Sequence, residues 1–216
     1  MEERIVYPEL NVYLRSLLPE NSPLLKELEE FAKDPYIPIM QPEVAQFLKV
    51  LFKYNPPRKI LEVGTAIGYS AIYFSEIGAS DCEIVTIERN AEIIPKALEN
   101  FKRAGIENRV TLLEGDAAEV LPTIEGEFDF VFLDAAKGQY SKFLPHCLRL
   151  LKVGGTLITD NILYRGIVAS EELAPRKHIT IARNLRGYLY EITHHDRLET
   201  SVIPLGDGVG ISRKIK

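Results

Sequence analysis

Apolar residues along this chain fall into two regimes. Over about the first fifty positions they recur at helical spacing, in segments 7–18, 23–33 and 42–53, with Pro19, Pro35 and Pro38 as breakers between them. From Lys59 onward, short apolar runs without clean alternation take turns with amphipathic stretches, as expected of parallel strands covered by helices on both faces. The pattern predicts strands over 59–63, 83–88, 109–114, 128–134 and 155–160, and helices over 69–77, 91–104, 117–121, 140–151 and 175–192. Gly105 and the pair Gly154-Gly155 stand where helix ends call for a positive φ. Two last strands, 199–204 and 209–214, flank Gly206-Asp207-Gly208, a hairpin signal. The expectation is an α/β protein with a single Rossmann-like doubly wound sheet, mostly parallel, ending in an antiparallel C-terminal hairpin. Residues 1–58 read as an N-terminal helical cap and lid segment of the same domain as residues 59–216.

The first strand runs into a turn, Ile60-Leu61-Glu62-Val63-Gly64-Thr65-Ala66-Ile67-Gly68, whose glycines allow sharp bending and close approach of backbone to a ligand. The helix that follows directs its free N–H groups at whatever lies over the turn. A dinucleotide fingerprint needs a glycine where Ala66 stands, so that backbone can touch a pyrophosphate. A nucleoside without phosphates has no such need, and S-adenosylmethionine is one. Before the third helix ends the cap, Pro38-Ile39-Met40-Gln41-Pro42 is too proline-rich to be regular, and reads either as a connector or as a lid over the turn.

Composition narrows the class. At 216 residues with 46% hydrophobic content the chain can bury one sizeable core. It has no apolar run near the roughly 18 residues needed to cross a bilayer, and it begins charged, without a signal-peptide core. A cytoplasmic protein with no membrane partner is expected. Cys82 and Cys147 are too few and too far apart for a disulfide framework or a zinc site. A formal charge of -5 argues against an overall basic coat for nucleic acid, though not against a local patch.

Acidic residues cluster at the carboxyl ends of predicted strands, where open α/β sheets bind ligands. Glu88 closes the second strand, where a carboxylate can accept from both ribose hydroxyls, and Asp116 follows the third, placed to hold an adenine amino group. A solvated loop acid or a helix N-cap is the plainer reading of either one. Asp134, after the fourth strand, and Asp160-Asn161, after the fifth, bring two carboxylates and an amide oxygen to neighbouring strand ends, a hard oxygen set suited to Mg²⁺. As plain structure, Asp134 caps a helix and Asp160-Asn161 makes a turn. Lys137 speaks against that, because a lysine beside a bound cation has its ammonium form disfavoured and can accept a proton.

On these residues the chain resembles the cation-dependent O-methyltransferases related to catechol and caffeoyl-coenzyme A O-methyltransferases. The motifs, in order, are Glu62 to Ser70, Ile87-Glu88-Arg89, Gly115-Asp116-Ala117, Asp134-Ala135-Ala136-Lys137, Thr159-Asp160-Asn161 and Gly206-Asp207-Gly208. The resemblance implies a divalent cation, such as magnesium, on Asp134, Asp160 and Asn161, with Lys137 as catalytic base. It also implies S-adenosylmethionine contacts from Met40, Glu62, Gly64, Ser70, Glu88, Asp116, Ala117 and Asp134, a methyltransferase domain over 59–216, and a homodimer. Within the family the wording of Pro38-Ile39-Met40, of 64–72 and of 134–140 is most similar to bacterial enzymes that methylate 5-hydroxyuridine in tRNA. Arg165, Arg176, Lys177, His178, Arg183 and Arg186 gather after the cation motif and can meet phosphates, or form a solvated face. Tyr164-Arg165 stands where many small-phenol members carry a tryptophan. The acceptor is therefore either tRNA or a small catechol-type molecule. Two readings from other classes compete: a nicotinamide-dependent oxidoreductase, disfavoured by Ala66, and a non-catalytic nucleoside- or RNA-binding module, in which Lys137 and the oxygen ligands would have no task.

Overall fold

The computed structural model describes residues 5–33, 37–170 and 176–216. The expected break at Pro35 and the start of the last helix at Pro175 lie outside the described residues. Three helices open the chain, α1 (Pro8–Ser16), α2 (Pro23–Phe31) and α3 (Pro42–Tyr54), each with a proline at its first turn, where a missing N–H costs nothing. α2 and α3 bury apolar faces, whereas α1 buries none of its residues.

Strand and helix then alternate through β1 (Lys59–Val63), α4 (Tyr69–Ile77), β2 (Glu83–Glu88), α5 (Ile94–Ala104), β3 (Val110–Glu114), α6 (Ala117–Val120), β4 (Phe128–Leu133), α7 (Tyr140–Leu150) and β5 (Leu151–Thr159). The chain closes with α8 (Ile179–His194), β6 (Leu198–Ile203) and β7 (Val209–Lys214). All seven strands form one sheet in the order β3-β2-β1-β4-β5-β7-β6. The first five are parallel, and β7 pairs antiparallel with both β5 and β6. The expected doubly wound, mostly parallel sheet with an antiparallel C-terminal edge is the fold observed.

Some expected boundaries shift by a residue or two as helix ends and strand ends do. One expectation fails outright. Gly154-Gly155 do not end α7; the helix stops at Leu150 and Leu151 enters β5 directly in extended conformation. Gly154, at φ 79, lies inside the strand, where the β4–β5 register slips between Phe128 and Phe130. A Cβ on Gly155 would sit 3.0 Å from the Asp129 carbonyl oxygen, so these glycines serve an irregular strand start rather than a cap. Gly105 does cap α5, in the left-handed region. Residues 91–93 form a turn, and α5 begins only at Ile94.

Side chains alternate across the sheet to make two cores. Ile60, Ile84, Phe130 and Phe132 face α2 to α5, while Leu61, Val63, Val131 and Leu133 face α7 and α8. Phe74 of α4 meets Phe130 and Phe132 edge-on at 5.8 and 5.2 Å, and Phe52 of α3 at 5.7 Å. This aromatic cluster fixes α3 and α4 on the sheet, and α4 carries the glycine turn at its start. Cys82 and Cys147 are free and buried, as small core residues. Among the described residues no helix is long and apolar enough to cross a membrane. Removing the ring in Phe74→Ala should cost about 3–5 kcal/mol. Urea unfolding checks this, and a midpoint unchanged from wild type would show that the cluster contributes little.

Candidate active site

Strand β1 leads on one side to β2 and on the other to β4, and a crevice opens above their carboxyl ends, at the point where the winding reverses. A cavity of about 290 Å³ lies there, walled by the turn after β1, the ends of β2, β3 and β4, and the segment Pro38-Ile39-Met40. That segment is thus a wall of the cavity and not a mere connector. Of the residues expected to touch a cofactor, Met40, Gly64, Ser70, Glu88, Asp116, Ala117 and Asp134 line it, together with Lys137 and Asn161.

Gly64 sits at φ 108, and a Cβ there would lie 2.1 Å from the Asp134 carbonyl oxygen. The glycine is demanded first by the neighbouring strand end, and only then by a ligand. Gly68, at φ 85, starts α4, and Phe101 would collide with any side chain in its place. Ala66 also takes a positive φ, of 47, and its N–H donates to Glu88 Oε2 at 2.9 Å. Glu88 Oε1 accepts from the N–H groups of Arg89 and Asn90. Its carboxylate therefore ties β2 to the turn while still facing the cavity. Asp116 is the N-cap of α6, with Oδ1 accepting from Ala118 N at 2.9 Å, so the plainer reading holds alongside the cavity position.

Glu62 differs from its expected placement. It is fully buried and does not line the cavity, because its place in β1 points it at the α4 face beneath the turn. Thr86, its neighbour across the β1–β2 ladder, donates to Glu62 Oε2 at 2.5 Å, and Ser70, which does line the cavity, lies near enough to favour the charged carboxylate. Oε1 has no partner among the described residues. Loss of water outweighs these influences and pushes the carboxyl up to about 7.

The second constellation assembles where β4 and β5 end. Asp160 is buried, outside the cavity lining, and its Oδ1 accepts from the backbone N–H of Asn161 at 2.7 Å. Its Oδ2 is buried with no partner among the described residues. Burial, and then the neighbouring Asp134 carboxylate, raise Asp160 to about 7; burial also raises Asp134, against the pull of Lys137. Asn161 adopts φ 58, which turns its side chain to the Asp160 carboxyl and the cavity. Among the described residues no three His, Cys, Asp or Glu side chains gather as a metal cluster, so this set has two carboxylates and one amide. An orphaned, dehydrated carboxylate oxygen beside a second carboxylate and an amide fits a hard cation that keeps other oxygen ligands of its own.

Sequence reasoning missed several participants. Arg89 reaches to 3.7 Å from Asp116 at the cavity, and Tyr69 lines it while donating from its hydroxyl to Glu29 of α2 at 2.8 Å. Asn184 of α8 donates to the Gly138 carbonyl at 2.9 Å and so pins the short 3₁₀ turn, Lys137–Gln139, that carries Lys137. Nothing in sequence spacing marks these long-range pairs. The basic cluster is only partly what it seemed. Arg186 donates to the carbonyls of Val168 and Ile167, and His178 Nδ1 bonds the Tyr164 hydroxyl at 2.6 Å, whereas Arg165, Arg176, Lys177 and Arg183 are exposed.

A nucleoside-sized hollow at the winding reversal, reached by a glycine turn that offers a pyrophosphate no glycine at Ala66, defines the methyltransferase variant of the doubly wound fold rather than a dinucleotide enzyme. The comparisons with known proteins agree. A model of the O-methyltransferase family matches residues 15–215. The chain is 33% identical to caffeoyl-CoA O-methyltransferase 1 of Zea mays, over 93% of this chain and 82% of that protein. It is 32% identical to caffeoyl-CoA O-methyltransferase of Medicago sativa, over 93% and 85%. Among solved structures it resembles the SAH-bound methyltransferase PaMTH1 of Podospora anserina, with a TM-score of 0.86 and 27% identity, over 95% of this chain and 94% of that one. The chain belongs to the O-methyltransferase family, and it is an S-adenosylmethionine-dependent O-methyltransferase. The competing readings as an oxidoreductase or a non-catalytic module fall away.

The raised Glu62 carboxyl has a measurable consequence. Between about 4.5, its ordinary value, and about 7, the folded state holds a proton that the unfolded state has lost, so stability falls as pH rises across that window. Glu62→Gln removes this term and should lessen the drop in unfolding free energy between pH 5 and pH 8 by up to about 3 kcal/mol. Urea unfolding of both proteins without ligand measures it, and parallel pH profiles would refute a neutral buried Glu62.

Proposed function

We propose that this enzyme is divalent-cation-dependent and methylates a hydroxyl that has a second oxygen beside it. The observation that carries the reading is the buried Asp160, whose Oδ2 has no partner among the described residues, beside half-buried Asp134, Asn161 and Lys137 at the edge of the cofactor cavity. Asp134, Asp160 and Asn161 would hold the cation, most simply Mg²⁺. Bound there, it would supply Lewis-acid polarisation that acidifies an acceptor hydroxyl, while S-adenosylmethionine supplies an electrophilic methyl group.

The remaining work falls to side chains of this chain. Lys137 Nζ takes the hydroxyl proton, and Asn184 keeps the turn that carries it in place. Glu88 accepts from the ribose, Asp116 faces the adenine, and Met40, Ile39 and Phe143 exclude water from the cavity. Because no covalent enzyme intermediate is needed, the chain contributes mainly orientation, which can be worth about 7–11 kcal/mol.

For the acceptor we favour 5-hydroxyuridine in tRNA, whose neighbouring carbonyl provides the second oxygen. Exposed Arg165, Arg176, Lys177 and Arg183 support this, since phosphate contacts dominate nucleic-acid affinity. A catechol-type acceptor is the second reading, favoured by relatives named for caffeoyl-CoA, a thioester that carries a catechol ring. The homodimer implied by the resemblance has a candidate surface in α1, where Leu10, Val12, Tyr13 and Leu14 are exposed.

Offering methyl-labelled S-adenosylmethionine with tRNA containing 5-hydroxyuridine, and separately with a panel of small catechols, tests the acceptor by which product carries label. A chelator should stop transfer, and added Mg²⁺ should restore it; chelator-resistant transfer would remove Asp134, Asp160 and Asn161 from the reaction. Lys137→Ala should lower kcat at least about 100-fold, with S-adenosylmethionine affinity by calorimetry within a few-fold of wild type. Loss of affinity with kcat preserved would assign Lys137 to cofactor binding instead.

A further inference from the structure

We propose that Asp207 is a positioning residue for the cation site, acting through Asn161; this rests on the cation reading above. The C-terminal hairpin turn is far from the site in sequence, yet the fold sets it against the site's least regular segment. β7 runs antiparallel to β5 with Gly210 opposite Thr159, and continuing that register brings Gly208 level with Asn161. Three backbone N–H groups just after Asn161 are then taken up by the turn. Ile162 N donates to the Gly208 carbonyl and Leu163 N to the Asp207 carbonyl, both at 3.0 Å, and Arg165 N donates to the Asp207 carboxylate Oδ1.

The segment needs such restraint. Asn161, Tyr164 and Arg165 all sit at positive φ, at 58, 47 and 57, and Gly166 follows at 76. Residues with a Cβ do not hold that conformation unless the surroundings impose it. Asp207 is buried, so its carboxylate is a fixed acceptor rather than a wandering surface charge. Its flanking glycines leave it little freedom. A Cβ on Gly208 would lie 2.3 Å from Leu163 Cγ, and one on Gly206 would lie 2.9 Å from Gln41 Oε1, at the N-cap of α3. The turn is therefore wedged between the segment that follows the cation ligands and the helix that follows the Met40 wall. Freed from the Asp207 carboxylate, the 162–166 loop relaxes toward ordinary φ, and the amide of Asn161 swings off the cavity. Groups that orient a metal's ligands commonly change metal affinity 10- to 100-fold when removed.

The test uses the full chain and Mn²⁺ as probe, with Mn²⁺ affinity and S-adenosylmethionine affinity measured by calorimetry and folding followed by thermal melting. Asp207→Ala is expected to weaken Mn²⁺ at least tenfold while S-adenosylmethionine affinity stays within about threefold. Asp207→Asn, which keeps an acceptor oxygen for Arg165 N, should bind Mn²⁺ within about threefold of wild type, a rescue that loss of general stability would not give. A folded Asp207→Ala with wild-type Mn²⁺ affinity overturns the proposal, as does an Asp207→Asn that is as impaired as the alanine variant. Should Asp207→Ala not fold, Asp207→Ser, whose hydroxyl is one bond too short for Arg165 N, is judged by the same figures. Asp160→Asn is the control: if wild type binds no Mn²⁺, or Asp160→Asn binds it equally well, the cation reading itself fails and takes this role with it.

Discussion

Backbone hydrogen bonds continue one residue past the ends of the parallel strands, and the site depends on them. Gly64 N donates to the Ile87 carbonyl, Gly115 N to Glu88, Asp134 N to Val63 and Asp160 N to Leu133, all at 2.9–3.0 Å. The bonds at Asp134 and Asp160 fix the peptides from which those site side chains depart, and the bonds at Gly64 and Gly115 fix the turns that lead from β1 and β3. Because β1 has β2 on one side and β4 on the other, the loops that follow diverge and leave the crevice open. Gly64, where a Cβ would lie 2.1 Å from the Asp134 carbonyl oxygen, joins the two halves of the rim: the glycine turn and the segment that begins at Asp134.

Beneath that rim two carboxyl groups, Glu62 and Asp160, are buried away from water. Glu62 and Asp160 are each raised to about 7, and Asp134 is raised too. Glu62 Oε1 and Asp160 Oδ2 lack a partner among the described residues, and an unsatisfied buried polar atom costs about 1–3 kcal/mol. A scaffold selected for stability alone would place apolar residues there. The aromatic and aliphatic packing on both faces of the sheet offsets the cost, and ligands that neutralise the acids stabilise the folded state in proportion to their binding. Stability and cofactor loading are thereby linked through the same few residues.

The half of the rim formed by Asp134, Asp160 and Asn161 is less regular than the half formed by the glycine turn. The glycine turn is held from both sides by early partners, Glu88 on the Ala66 N–H, Asn100 on the Ile67 carbonyl and Thr86 on the Thr65 hydroxyl. The loop beyond Asn161 is held by partners that arrive late in the chain, the 206–208 turn and Arg186 of α8. The antiparallel addition of β7 to β5 thus has a purpose beyond closing the sheet, since it brings acceptors to a segment that cannot satisfy itself.

Local patterning alone determined much of this protein. The order of strands and helices, the glycine turn, and the acids at strand ends all follow from side-chain period and from residues whose backbone preferences act over a few positions, such as Gly64, Gly68 and Gly105. Only the tertiary structure decided that Gly154-Gly155 lie in a strand, where a Cβ on Gly155 would crowd Leu151, the Lys152 carbonyl and, across the sheet, the Asp129 carbonyl. It also decided that Glu62 lies below the cavity rather than in it, since which face of a doubly covered strand holds a residue depends on the helices packed there. Arg186 looked like one more surface cation until α8 was laid against the 167–168 carbonyls. The division follows the range of the interactions: preferences set by a residue's own backbone are written in sequence, while contacts between residues forty positions apart exist only once the sheet has brought them together.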